Sequence, residues 1–100
     1  MPEIVTVFRS RLREEHDGYD ETAAAMERAA RAMPGFVDFK TFAADDGERV
    51  SIVVFDSIES HNAWRDEPDH RAAQQRGRKA WYAEYHIQVC ELRSERRLQH

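Results

Sequence analysis

Apolar and polar residues alternate in some stretches of this chain and recur every three or four positions in others. Alternating or continuous β-branched and aromatic residues predict strands, whereas apolar residues at helical spacing predict amphipathic helices. The predicted strands are residues 4–12, 36–44, 49–55 and 84–92. The predicted helices are residues 19–33, 58–66 and a third from Asp69 to Trp81 or Tyr82.

Turn and capping residues mark the ends of these segments. The run Asp45-Asp46-Gly47-Glu48 is typical of a tight turn and predicts an antiparallel hairpin between the second and third strands. Pro34-Gly35 ends the first helix. Asp56-Ser57 is expected to cap the second helix and Asp69 the third, because such side chains accept hydrogen bonds from free backbone N–H groups.

The resulting order, β-α-β-β-α-β, is the split βαβ arrangement of ferredoxin-like α+β domains, with helices on one face of a four-stranded antiparallel sheet. We expect one domain over residues 1–92 and a charged tail over residues 93–100. The most apolar strand, residues 49–55, should lie centrally. Both faces of the strands carry apolar residues, Val5 and Val7 among them, so a second copy is expected to cover the open face and form a homodimer.

Composition and charge exclude several classes of protein. The formal net charge of −4 argues against a general nucleic-acid binder, which would carry a basic face. No stretch approaches the ~18 apolar residues of a membrane span, and no charged-then-apolar leader opens the chain, so no membrane association is expected. The single cysteine, Cys90, is interpreted as a buried structural thiol, and the cytoplasm is the expected compartment. The four glycines stand far apart, which excludes a phosphate-binding loop.

One histidine, His70, stands where proton transfer is chemically reasonable. It follows Pro68-Asp69 in the first turn of a predicted helix, where the positive potential of the helix terminus disfavours an imidazolium. A neutral imidazole accepts a proton from an acidic phenol or from a carbon flanked by carbonyl groups. His70 shares a helical stripe with Gly77 and Trp81, so it faces inward if Trp81 does. The remaining histidines lack metal-ligand spacing, and no metal site is expected.

Three runs of the sequence resemble the antibiotic biosynthesis monooxygenase family. They are MPGF at 33–36, VSIVVFDSIESHNAW at 50–64 and GRKAWYAEYHIQVCEL at 77–92. The resemblance covers nearly the whole chain and implies a dimeric α+β barrel with a pocket between the helices and the sheet of each subunit. It also implies that Trp64, on the helix after the third strand, lines that pocket. Members of the family include cofactor-independent oxygenases of anthrones and quinols, haem-degrading enzymes, and proteins with no established substrate.

The chain departs from both catalytic branches of that family. The anthrone oxygenases carry an Asn one turn before the Trp and a Tyr six residues after it, where this sequence has Ser60 and His70. The haem-degrading enzymes carry an Asn on the first strand and an iron-ligating His ten residues past the Trp, where this sequence has Phe8 and Gln74. No cofactor is therefore expected; haem is disfavoured but stays open through His70, one turn before Gln74.

The resemblance implies a small cofactor-independent monooxygenase that acts with dioxygen on an anthrone-like or quinol-like aromatic substrate. Trp64 is expected to stack on the substrate and His70 to transfer a proton. The expected substrate-binding residues are Ser60, Phe8, Phe55, Gly77, Trp81 and Tyr82. Two alternatives stay open: a haem-binding or haem-degrading protein, and a non-catalytic ligand-binding dimeric module. In the second, Trp64 is an ordinary core side chain and His70 a surface histidine.

Overall fold

A computed structural model describes residues 2–100 of the chain. Met1, with which the expected domain begins, lies outside the described residues. These residues form four strands, three α-helices and one π-helical turn. In chain order they are β1 (Ile4–Leu12), α1 (Tyr19–Arg31), β2 (Phe36–Ala43), β3 (Arg49–Phe55), α2 (Ile58–Arg65), α3 (Pro68–Arg76), the π-turn (Gly77–Trp81) and β4 (Tyr82–Glu91). The predicted ferredoxin-like α+β class is confirmed.

The strands form one antiparallel sheet in the order β2-β3-β1-β4. The central position predicted for β3 is therefore correct, and β1 lies beside it. Val7 of β1 is opposite Ile52 of β3, and two residues earlier Val5 is opposite Val54. The hairpin between β2 and β3 forms as predicted, with Gly47 at a φ of 89° in the turn, a left-handed conformation that glycine adopts without a steric penalty.

The face of the sheet beneath the helices carries the hydrophobic core. Ile4 and Phe55 are almost fully buried there, and Ala30 of α1 is completely buried. The buried residues of α1 are Tyr19 and Ala30. On β4, in contrast, Ile87 and Val89 belong to the same sheet face but are 41% and 50% exposed. The helices therefore leave space over this part of the sheet.

The third helix starts differently from the prediction. Pro68 is its first residue and Glu67 its N-cap, with the Glu67 carboxylate accepting a hydrogen bond from the His70 N–H at 2.9 Å. Proline fits the first helical position because it needs no N–H partner there. Asp69 thus lies inside the first turn, and its predicted capping role is wrong. Ser57 does cap α2, where its hydroxyl accepts from the Ser60 N–H.

The end of the same helical region also differs. The sequence predicts one helix up to Trp81 or Tyr82, but α3 ends at Arg76 and continues as the π-turn. The extra residue of a π-turn rotates the following side chains. As a result, Tyr82 leaves the helix and begins β4, two residues earlier than predicted.

The other face of the sheet carries half-buried apolar side chains. They alternate along the two central strands with the residues beneath the helices, and they are Val5, Val7, Val50, Ile52 and Val54. Cys90 lies opposite Val5 on the same face. The expected burial of its thiol is wrong: the residue is exposed, because β4 is an edge strand. Residues 93–100 form neither helix nor strand. None of the helices within residues 2–100 is long and apolar enough to cross a membrane.

Candidate active site

A cavity of about 630 Å³ lies between the helices and the sheet. Its volume falls within the ~300–1,000 Å³ of small-molecule binding sites. Residues of all four strands form its floor, among them Phe8, Phe39, Val53 and Ile87, and residues of α1, α2 and α3 form its walls. The cavity is thus largely apolar and has room for a ligand of several rings.

Five of the eight residues predicted for the site line this cavity, namely Phe8, Trp64, His70, Trp81 and Tyr82. Trp81 is 4% exposed, and its indole N–H donates to the Asp17 carbonyl at 3.0 Å. That bond fixes the indole against the loop before α1. The inward orientation expected for His70 and Trp81 is therefore what the structure has.

The other three predicted residues, Ser60, Phe55 and Gly77, do not line the cavity. The Ser60 hydroxyl accepts a hydrogen bond from Ser57 at 3.2 Å, and it lies so close to Gly35 that a Cβ on Gly35 would overlap it. Phe55 is fully buried beneath Trp64. These two residues support the site from behind, in contrast to the ligand contacts expected for them.

Packing explains why residue 77 is a glycine. A Cβ at this position would overlap the ring of Tyr82. The sequence offers two interpretations of a mid-helix glycine, close packing or space for a ligand, and the structure shows close packing. Gly77 thereby allows the Tyr82 ring to approach the π-turn.

The rings of Trp64 and His70 are stacked. Their centroids are 4.4 Å apart and their planes differ by 24°. The indole is also nearly parallel to Phe55, with centroids 5.3 Å apart and planes at 27°. Because the imidazole covers one face of the indole, a flat ligand does not stack on that face. The position of Trp64 suits it to holding His70 in place as well as to lining the cavity.

Burial lowers the pKa of His70 below its ordinary value of 6.5, and the nearby carboxylate of Glu67 opposes this shift only in part. The sequence predicts a neutral imidazole because of the helix terminus, whereas desolvation is its main cause in the structure. The Nδ1 atom lies 3.4 Å from the Arg65 carbonyl oxygen. A neutral ring with its proton on Nδ1 donates to that carbonyl and keeps Nε2 as a proton acceptor.

Aromatic rings also cluster at another part of the cavity wall. The ring of Tyr82 lies 5.4 Å from Phe8, 6.0 Å from Tyr19 and 5.9 Å from Tyr85. Burial raises the pKa of the Tyr82 phenol, so it stays protonated near neutral pH. Tyr19 and Tyr85 also line the cavity. The sequence predicts no site role for Tyr19, whereas Tyr85, at the junction of helix and strand, is open to two interpretations, closing the pocket or packing alone. The period-two pattern of β4 puts Tyr85 on the face of Ile87, and this signal identifies it.

His61 is a second histidine of the cavity, and the sequence predicts no role for it. It is 3% exposed, and its Nδ1 lies 3.0 Å from the side-chain oxygen of Asn62. Its ring and that of Trp64 are arranged edge to face, with centroids 6.0 Å apart. Over residues 2–100, no group of three or more His, Cys, Asp or Glu side chains is placed to hold a metal ion.

Comparison with known proteins relates the chain to one family and to one curated protein. The family model described as antibiotic biosynthesis monooxygenase matches residues 4–76. YqjZ, an uncharacterised protein of Bacillus subtilis strain 168, is 33% identical over 98 residues, which is 98% of this chain and 86% of YqjZ.

Solved structures share the fold at low sequence identity. SnoaB, a cofactor-independent oxygenase of Streptomyces nogalater, superposes with a TM-score of 0.78 at 15% identity, covering 95% of this chain and 97% of its own. A dimeric ferredoxin-like protein of unknown function from Thermobifida fusca gives 0.71 at 18% identity, covering 91% and 92%. At these identities the similarity concerns the fold.

Proposed function

The chain belongs to the antibiotic biosynthesis monooxygenase family, and we propose that it is a cofactor-independent monooxygenase acting on a flat aromatic substrate such as an anthrone or a quinol. One observation carries this proposal: a half-buried imidazole with a lowered pKa, His70, lies in the wall of a large apolar cavity. The fold shared with SnoaB, which is described as a cofactor-independent oxygenase, supports it.

The chemistry proposed for an anthrone starts with removal of a proton by Nε2 of His70. The resulting carbanion gives one electron to dioxygen, and the two radicals combine to form a carbon–oxygen bond. The peroxide anion takes up a proton and becomes a hydroperoxide. Loss of water then leaves a ketone. One oxygen atom of dioxygen enters the product and the other leaves as water, so no external reductant is needed.

The cavity contributes to this reaction in two ways. Its apolar floor and aromatic walls bind a planar substrate and exclude water from the radical pair. Trp64 covers one face of the imidazole, and the Arg65 carbonyl lies beside Nδ1, so the ring has little freedom to turn. A base held in one orientation avoids the entropic cost of positioning it during the reaction.

We also propose that the protein is a homodimer, located in the cytoplasm. The half-buried valines and Ile52 on the face away from the helices form an apolar strip of the kind that a second copy of the sheet would cover. A dimeric relative of the same fold supports this assembly.

Oxygen consumption with a small panel, 1,8-dihydroxyanthrone and a hydroquinone, tests the proposed reaction. The protein should consume oxygen well above the rate of autoxidation in buffer. The variant His70→Asn should lose about 10²- to 10⁴-fold of that rate, the usual contribution of a general base. His100→Asn, an exposed histidine in the tail, is the matched control and should retain it. Absence of uptake with either substrate, or an unimpaired His70→Asn, contradicts the proposal.

The two alternatives give different results in simple titrations. A haem protein would shift the Soret band of haemin; we expect no shift, because Gln74 lines the cavity at the position where the family has its iron-ligating histidine, and glutamine is not such a ligand. A non-catalytic module would bind the aromatic ligand without consuming oxygen.

A further inference from the structure

The guanidinium of Arg49 is an unpaired cation in the cavity wall. Arg49 is the first residue of β3, is half-buried and lines the cavity. Its Nε atom is buried and has no hydrogen-bond partner, and the guanidinium forms no ion pair with any residue from 2 to 100. The guanidinium lies over the ring of Tyr19, whose centroid is 5.7 Å from the guanidinium carbon.

Other arginines of the sheet have acidic partners. Arg9 binds Glu48 at 2.7 Å, and Arg11 binds Asp46 at 2.8 Å. A cation removed from water without a counter-charge is costly, and a cation–π contact replaces only part of its hydration. Arg78 also lines the cavity, but it is exposed and stays hydrated. Arg49 is therefore the partly buried cation of this cavity that gains most from an anionic ligand.

The acidic residues of the cavity do not neutralise it. Glu27 of α1 lines the cavity, but its carboxylate binds Arg31 at 3.0 Å. Asp20 also lines the cavity, yet it is exposed to solvent and lies beyond 4 Å of any arginine or lysine nitrogen among the described residues. Neither carboxylate is an ion-pair partner of Arg49.

Polar side chains stand beside Arg49 on the same sheet face. Ser51 follows it at the next inward position of β3, and the Ser51 hydroxyl lies 2.8 Å from that of Thr41 on β2. Both residues line the cavity. Because one hydroxyl donates to the other, the pair keeps one free O–H donor, which stands with the guanidinium on a largely apolar floor.

We propose that Arg49, assisted by Ser51 and Thr41, binds a carboxylate group of the aromatic ligand. Arg49 and Phe55 are the two ends of β3, and a strand of this length spans about 20 Å. Phe55 lies beneath the stacked rings of Trp64 and His70. The carboxylate therefore binds away from the carbon that reacts at His70, so the ligand class is an elongated aromatic carboxylic acid. This inference deepens the proposed function and takes from it the aromatic character of the ligand.

A matched pair of probes tests it without turnover: anthraquinone-2-carboxylate and anthraquinone-2-carboxamide. Binding is followed by quenching of the two tryptophans, both of which line the cavity. The carboxylate should bind about 10- to 100-fold more tightly than the amide, as expected of a charge-assisted bond. Arg49→Gln should remove that preference and Arg49→Lys retain part of it. Arg71→Gln, which removes an exposed charge from α3, should leave both affinities within about two-fold.

Equal affinities of the two probes for the unmodified protein, an undiminished preference in Arg49→Gln, or no binding of either probe would overturn the assignment. If Arg49→Gln is not folded by circular dichroism, Arg49→Lys and the probe pair decide alone. A carboxylate preference without oxygen consumption would refute the monooxygenase and leave the subsite standing. Oxygen consumption with neutral anthrones and no carboxylate preference would support the monooxygenase and refute the carboxylate site at Arg49.

Discussion

At the scale of single residues, the environment of His70 has a consequence for stability. Since burial lowers its pKa in the fold, the unfolded chain takes up a proton first as the pH falls below the ordinary value of 6.5. The stabilisation is complete above that pH and is lost progressively below it, down to the lowered pKa of the folded state. The free energy of unfolding should therefore decrease in this window.

Urea unfolding at pH 7.5, 6.5 and 5.5 measures this dependence. His70→Gln should flatten the decrease relative to the unmodified protein, whereas the tail variant His100→Gln should not change it. An equally steep decrease in His70→Gln would show that burial does not favour the neutral imidazole.

The sequence predicts part of the site residue by residue. Helical spacing correctly puts His70 on the inward face of α3, because the period of a helix fixes which side chains share a side. Trp81 also faces inward, but it lies in the π-turn, where the regular period no longer applies. Helical spacing does not predict that His70 covers Trp64, since this contact depends on how α2 and α3 pack against each other. The role of Arg49 cannot be predicted from the sequence, because a charged residue at the start of a strand is common. That it lacks an acidic partner is visible only in the structure.

At the scale of elements, the π-turn after α3 determines the position of Tyr82. Replacing Gly77 with alanine would favour a regular helix by about 1 kcal/mol, but the new Cβ would overlap the buried Tyr82 ring. Overpacking of this kind typically costs ~1–3 kcal/mol. We expect Gly77→Ala to lower the free energy of unfolding in urea, despite the gain in helix propensity.

Gln75→Ala, at an exposed position of α3, is the control for helix propensity and should change stability by no more than ~0.5 kcal/mol. A stabilised Gly77→Ala would mean that the Tyr82 ring can move aside without cost.

Element boundaries show where sequence patterns stop being informative. The limits of β1 and β3 are predicted to the residue, because polar or turn-forming residues flank them, Arg13 after β1 and residues 45–48 before β3. The π-turn is not predicted, since the apolar spacing of residues 69–81 fits a continuous α-helix. It coincides with the close contact between Gly77 and Tyr82, which belong to two different elements.

At the scale of the whole molecule, the proposed dimer depends on the sheet face opposite the helices. Ile52 lies on the central strand of that face, opposite Val7 of β1. A lysine in its place would bury a charge without a partner in a sheet-to-sheet contact. Light scattering after size exclusion should give twice the chain mass of 11.7 kDa for the unmodified protein and a shift toward the monomer for Ile52→Lys.

Ala72→Lys, which adds the same charge to an exposed position of α3, should remain dimeric. A monomeric unmodified protein, or an Ile52→Lys variant that remains fully dimeric, would exclude this face as the interface.

The topology of the sheet can be predicted from the order of strands and helices along the chain. The volume of the cavity cannot be predicted from that order, because it depends on how the helices pack and leave part of β4 uncovered.

The pH dependence of kcat/KM tests the assignment of His70 as the base most directly, because it reports the ionisation of the free enzyme. With an anthrone substrate, kcat/KM should rise through a pKa below 6.5, reach a plateau above it, and lose both the inflection and most of the plateau in His70→Asn. The same inflection in His70→Asn, or a rate that climbs steadily through alkaline pH in both proteins, would show that the substrate ionises without help from this imidazole.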